Sequence, residues 1–106
     1  MIVVTNDSIV GKKIVNTIGL VKGNTIRARS IGRDIVAVVK NIVGGEIEEY
    51  TKLLGESREQ AVDRMIAAAE EQGANAIISV RFSTSYIMQS AAEIMVYGTA
   101  VVVEDL

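Results

Sequence analysis

The chain has 106 residues, 49% of them hydrophobic and 23% charged, and a net charge of −2 at neutral pH. That length suits one domain, since two halves would each bury too little surface, and the balance lies far from the weakly hydrophobic, highly charged composition of disordered chains. Cysteine and histidine are both absent, which excludes disulfides, thiolate nucleophiles, imidazole acid–base catalysis and thiolate or imidazole metal sites together. The pI near 5.1 and scattered basic residues offer no field for phosphate backbones. No apolar run approaches the roughly 20 residues of a spanning helix, and residues 1–10 lack the pattern of a secretory leader. These features predict a single cytoplasmic domain over 1–106, with no nucleic-acid or membrane partner.

Residues 2–5 (IVVT) read as a short apolar strand, and Asn6, Asp7 and Ser8 as a turn cluster. Over 13–20 (KIVNTIGL) β-branched residues dominate, with Ile14, Ile18 and Leu20 on one face and Val15, Thr17 and Val21 on the other; both faces are expected to be largely covered. Two readings of 13–29 stay open: a hairpin closed by Gly23 and Asn24, or one long strand bent at Gly19 and Gly23.

Ser30 is placed to cap the next element, and Asp34 to sit near its positive end. Ile31, Ile35, Val38 and Ile42 hold one helical face, widened by Val36, Val39 and Val43. The run IVAVV over 35–39 has strand-like composition, but the Ser30 cap and the Gly44-Gly45 stop favour a helix. A segment this apolar needs more cover than one small sheet supplies, which points to a subunit interface at Ile35, Val38, Val39 and Ile42.

Residues 46–72 predict a long helix, about 40 Å at 1.5 Å per residue. Ile47, Tyr50, Leu54, Ala61, Met65 and Ala68 form its stripe, flanked by Leu53, Val62 and Ile66. Glu46, Glu48 and Glu49 suit its dipole, Glu48 pairs in spacing with Lys52, Gly55 is a candidate kink, and Gly73 a candidate stop. From 76 to 86 the period becomes two, with Ile78, Val80, Phe82, Thr84 and Tyr86 on one face and Ser79, Arg81, Ser83 and Ser85 on the other. Residues 89–91 read as a loop before a final strand over 93–103, antiparallel to the last, with Gly98 marking a bulge or close approach. Val101, Val102 and Val103 are expected at the centre of the sheet or beneath a neighbouring subunit.

The polar residues nearest the apolar segment, Arg33, Asp34, Glu46 and Tyr50, are the candidate ligand-binding cluster; the plainer reading makes them helix-end charges and intersubunit ion pairs. No histidine base, nucleophile elbow or phosphate loop is present, so catalysis is disfavoured and would fall to carboxylate chemistry at Asp34 or Glu46. No cofactor is expected. The four methionines are the only soft metal donors, and Met88 and Met95 could approach across the last hairpin, but such residues more often fill cores. Asp7, Glu48 and Glu49 have no calcium-loop spacing, so no metal residues are assigned.

An ordered set of residues along nearly the whole chain resembles the YbjQ-like proteins, small bacterial and archaeal domains of unknown function labelled heavy-metal-binding. The set comprises Gly19 and Gly23, Arg33, Asp34 and Ala37, the run Ile42, Val43, Gly44 and Gly45, then Tyr50, Leu54 and Arg58. It continues with Gly73, Ala74, Asn75 and Ala76, and ends with Met95, Val96, Gly98, Thr99, Ala100 and Val101. The resemblance implies an α+β fold, an antiparallel sheet of three to four strands with two helices packed on it, assembling into a ring-shaped homopentamer. Glu46 stands where the family usually has Arg, which reverses a charge and weighs against an anion site there. The metal label finds no Cys or His to match it. The expected function is that of a non-enzymatic, homo-oligomeric small-ligand-binding or scaffold protein, with metal binding as the alternative.

Overall fold

A computed structural model describes residues 1–28, 46–88 and 91–106, with side chains for 1–26, 54–86 and 92–106. The elements are β1 (Ile2–Val3), β2 (Lys12–Ala28), α1 (Glu46–Glu71), β3 (Ala76–Met88) and β4 (Ala91–Asp105). They form one four-stranded sheet in the order β1-β3-β4-β2. The β1–β3 pair is parallel, and the β2–β4 and β3–β4 pairs are antiparallel. This corrects the expected architecture: the sheet is mixed, because β1 enters beside β3 and not beside its neighbour in sequence, and α1 is the one helix among the described residues. The second helix expected between Ile31 and Val43 falls outside them, and neither it nor a ring is part of the observed fold.

β2 is one strand, which settles the open choice against a hairpin. Two register shifts, between Ile14 and Asn16 and between Thr17 and Gly19, each insert one residue opposite β4. Gly19 accommodates the second with φ +137°, a conformation that side chains with a Cβ resist. The shifts rearrange the expected faces: Ile18 packs toward the helix-side core, whereas Ile14, opposite Val103, and Leu20, opposite Thr99, lie on the far face. Nor are both faces covered, since Ile14, Val15, Leu20 and Ile26 are exposed.

α1 runs without a break through Gly55. Ser57, Ala61, Met65 and Ala69, four residues apart, are all fully buried, and Leu54, Val62 and Ile66 of the expected stripe pack against the same core, with Ala69 in place of Ala68. The helix ends as predicted at Gly73 (φ +87°). There the Ala74 N–H bonds Ala69 O and the Gly73 N–H bonds Glu70 O, both at 3.0 Å, the paired bonds of a Schellman stop.

Small residues let the helix approach the sheet closely. A Cβ on Gly23 would lie 2.0 Å from Ala61 O and 2.5 Å from Met65 N, an acceptor and donor four apart in the α1 backbone. Val21, Ile77, Val80, Ile94, Val96 and Ala100 complete this core. A second, smaller core on the far face gathers Ala76, Ile78, Val101 and Val103 under Ile2, Val4 and Ile9. β4 is an interior strand, as its Val101 to Val103 run predicted, with Val101 and Val103 buried.

β3 serves both cores through a bulge. Its register slips by one residue between Ile78 and Arg81, Ser79 takes φ +55°, and the N–H groups of Ser79 and Val80 bond Asn6 O and Val4 O at 2.8 and 3.1 Å. The slip turns Val80 to the helix side and leaves Ile78 on the far side, so the single alternating face expected for Ile78 to Tyr86 is split in two. Gly98 is a close approach: a Cβ there would sit 2.8 Å from Ile77 Cγ2 and 2.9 Å from Ile78 O.

The described residues span 56 × 22 × 17 Å with a radius of gyration of 17.3 Å, against about 13 Å for a compact domain of about 100 residues.

Candidate interaction surface

The residues singled out for ligand binding and assembly fall largely beyond description. Arg33, Asp34, Ile35, Val38, Val39 and Ile42 lie outside the described residues, and Glu46 and Tyr50 are described only as backbone positions in the first turns of α1. The Glu48–Lys52 pair likewise has no described side chains. Met88 and Met95 do not meet: Met88 pairs with Ala91 and Met95 with Ser83, a separation of about 13 Å along β4 at some 3.3 Å per residue.

The described residues instead show an uncovered apolar surface that sequence periodicity missed. α1 lies chiefly over β2 and β4. On the helix-facing side of β3, Phe82 stands opposite Val96 and Tyr86 opposite Ala92, yet Phe82 is 52% and Tyr86 83% exposed. On the far side, the N-terminal segment covers only the end near Val101 and Val103. Beyond it, Leu20 (69%) and Ile26 (57%) are open to solvent, on the side of β2 that faces away from Val21, Gly23 and Thr25. Alternation grouped residues across the bulges onto the wrong faces, and it could not say how much of each face a single helix would shield. The signal available was length: strands of 17, 13 and 15 residues outrun what one helix covers.

The polar groups around this surface are mostly tied into the fold. Arg64 donates to Asn24 O at 2.6 Å, joining α1 to β2. Asn24 donates to a Glu93 carboxylate oxygen at 3.2 Å across β2 and β4. Arg81 donates to Thr5 O at 2.9 Å and to Val80 O at 2.8 Å, holding the N-terminal segment against the bulge. At the opposite end Lys12 pairs with Asp105, whose carboxyl is held below its usual range first by that hydrogen bond and then by the lysine's charge. Row by row, Lys22, Tyr97 and Arg81 line up across three strands on the far face.

The helix–sheet layout has a solved counterpart: a protein of unknown function in the DUF74 family from Pediococcus pentosaceus superposes with a TM-score of 0.67 over 98% of both chains, at 14% identity, a likeness of fold. Residues 1–104 match the family YbjQ, described as "Putative heavy-metal-binding". The chain belongs to that family. Among YbjQ relatives, a UPF0145 protein of Dehalococcoides mccartyi is 61% identical over 104 residues, covering 98% of this chain and 100% of that one. A UPF0145 protein of Methanosarcina acetivorans is 50% identical over 101 residues, 95% of each. A third, from Clostridioides difficile, is 51% identical over 105 residues, 99% of this chain and 94% of that one.

The donor set of this YbjQ chain does not fit the heavy metal of the family's description. Thiolate and imidazole, the ligands such ions prefer, are missing from the composition. Among the described residues no three carboxylates converge, and Met65 is sealed in the core. No helix among the described residues is long and apolar enough to cross a membrane.

Proposed function

We propose that this protein acts in the cytoplasm as a homo-oligomeric small-ligand-binding or scaffold protein, without catalysis, its sites lying where copies meet. The observation that carries this reading is apolar exposure on both faces of the sheet, at Phe82 and Tyr86 on the helix-facing side and at Leu20 and Ile26 on the far side. Leaving such side chains wet forgoes about 1.5–3 kcal/mol for each one that a partner could bury, on either face of the sheet. The apolar run at Ile35, Val38, Val39 and Ile42 supports the same reading from sequence, with Arg33, Asp34, Glu46 and Tyr50 as the polar groups of a boundary site. Family resemblance suggests five copies.

Native mass spectrometry of the protein as purified tests this. A multiple of the 11.4 kDa chain mass is expected, with a bound organic mass identifying the ligand where one co-purifies. A monomer at micromolar concentration overturns the proposal. One heavy-metal ion per subunit would instead establish the family description for this chain against its donor chemistry.

A further inference from the structure

The bulge in β3 decides which face of the sheet carries Arg81. Ile78 lies on the far face, and unbroken alternation from it would send Arg81 to the helix side. The extra residue reverses this: Val80 enters the helix-side core, and Arg81 stands opposite Tyr97, which in turn stands opposite Lys22. The backbone is strained to hold that arrangement, since Ser79 keeps φ +55°, a region that residues with a Cβ seldom enter. Bulges re-aim single side chains beside functional sites, and strained residues gather at such sites.

The row made in this way is cationic and has no counter-charge beside it. Lys22 and Arg81 are exposed, and Tyr97 between them is 36% exposed. With strands about 4.8 Å apart the two cations spring from backbones roughly 10 Å apart, so both long side chains can close on one anion above the Tyr97 ring. The rows on either side, Leu20, Thr99 and Ile78 and then Asn24, Met95 and Ser83, hold no charge. Among the described strand residues the nearest carboxylate on this face is Glu93, two rows away, and it accepts from Asn24 at 3.2 Å. Arg81 donates from Nη1 to the carbonyls Thr5 O and Val80 O, which orients its guanidinium without cancelling its charge. Lys22 has no bonded partner among the described residues.

We propose that Lys22, Tyr97 and Arg81 bind the phosphate group of a small ligand on the sheet face away from α1. Arg81 supplies its remaining N–H groups in a planar fork, Lys22 a mobile point charge, and Tyr97 a hydroxyl donor with a ring on which an organic group can lie. A doubly charged phosphate matches two cations, whereas two cations are too few to follow a nucleic-acid backbone. All three residues belong to one chain, so the site goes beyond the reading above and does not depend on assembly.

Equilibrium dialysis of the purified protein at low salt, against phenyl phosphate and separately against inorganic phosphate, tests this. Saturable uptake of one phosphate group per chain is expected, weakened about tenfold by Lys22→Gln, the effect of losing one charge-assisted hydrogen bond. Because Lys22 holds no other described group, that loss is not a consequence of unfolding. Arg81→Gln is expected to weaken uptake at least as much and also to lower Tm, since it frees Thr5 O. Lys13→Gln removes the same charge from an exposed β2 position on the other side of the sheet and is expected to leave uptake unchanged. Tighter binding of phenyl phosphate than of inorganic phosphate would identify an ester lying on Tyr97, and equal binding the free ion; either upholds the site. No saturable uptake of either probe, or a Lys22→Gln effect no larger than that of Lys13→Gln, would overturn it.

Discussion

The half of the sheet under α1 and the half beyond it follow different rules, although the same three strands run through both. Under the helix, side chains are small where backbones meet and large where space remains: Gly23, Ala61 and Ala69 allow the approach, and Met65, Ile77 and Val96 fill the gaps, the last five with no exposure at all. Past Val80 on β3, and on the far face of β2, the strands keep their apolar character without that cover, so Phe82, Tyr86, Leu20 and Ile26 face solvent. The contrast separates two fates of one hydrophobic signal, burial in the first region and exposure in the second.

The sharpest way to break that contrast is at Gly23. Gly23→Ala drives a Cβ into the α1 backbone at Ala61 and Met65, where no flexible side chain can yield. A loss of about 3 kcal/mol is expected, the upper range for overpacking, or a fall in Tm of roughly 12–20 °C for a domain of this size. Gly55→Ala is the matched control: it meets nothing within 4 Å inside a continuous helix, and thermal melts should show a gain of about 0.5–1 kcal/mol. Equal effects at the two glycines would mean that helix contact does not distinguish them.

A smaller effect is expected where β3 begins. The Asn75 side chain copies a strand backbone, its Nδ2 donating to Val103 O at 2.9 Å and its Oδ1 accepting from the Val103 N–H at 2.8 Å. Asn75→Ala removes both bonds and leaves the Val103 groups unpaired, at a cost of about 2 kcal/mol, readable as a shift in the urea midpoint with unchanged slope.

Such distinctions were only partly visible beforehand. Helix α1, its stop at Gly73, the β3–β4 pairing and the interior position of Val101 follow from period, glycine placement and apolar runs, which are local signals. The bulges at Val15, Ile18 and Ser79 were hidden, since each depends on which residue stands opposite on β4 and strict alternation assumes an unbroken register. The parallel β1–β3 pair was hidden for the same reason: two residues, Ile2 and Val3, carry no orientation in their composition. Ser57 escaped notice because its polarity argues against the core, yet it lies fully buried with its carbonyl accepting from the Thr25 hydroxyl at 3.2 Å. The ligand cluster proposed at Arg33 and Asp34 gains no test from the described residues.

In the open region the comparison predicts little change in folding and a large change in assembly. Leu20→Ser and Tyr86→Ser remove exposed apolar groups, so at dilutions where the chain is dissociated, stability should move by no more than about 0.5 kcal/mol. Sedimentation at higher concentration should show weakened association. A substantial loss of stability in the dissociated chain would place these side chains in the fold's own core.

The smallest effect belongs to the sheet's far end, where Lys12 opens β2 and Asp105 closes β4 in register with it. The lysine lowers the Asp105 pKa in the folded chain, so the contribution of the pair is present above the unfolded carboxylate value, about 3.9, and is lost as pH falls through the folded value. Asp105 is fully exposed to solvent, and such pairs are screened by salt. Wild type and Asp105→Asn should therefore melt slightly apart at pH 7 in low salt and converge both near pH 2 and at 0.5 M salt, an ionic strength that shortens the screening length to roughly 4 Å. A difference that persists under both conditions would trace to the backbone bond beside the pair, from the Leu106 N–H to Gly11 O at 3.1 Å, and would make strand-end pairing, not charge, the fastening of β2 to β4.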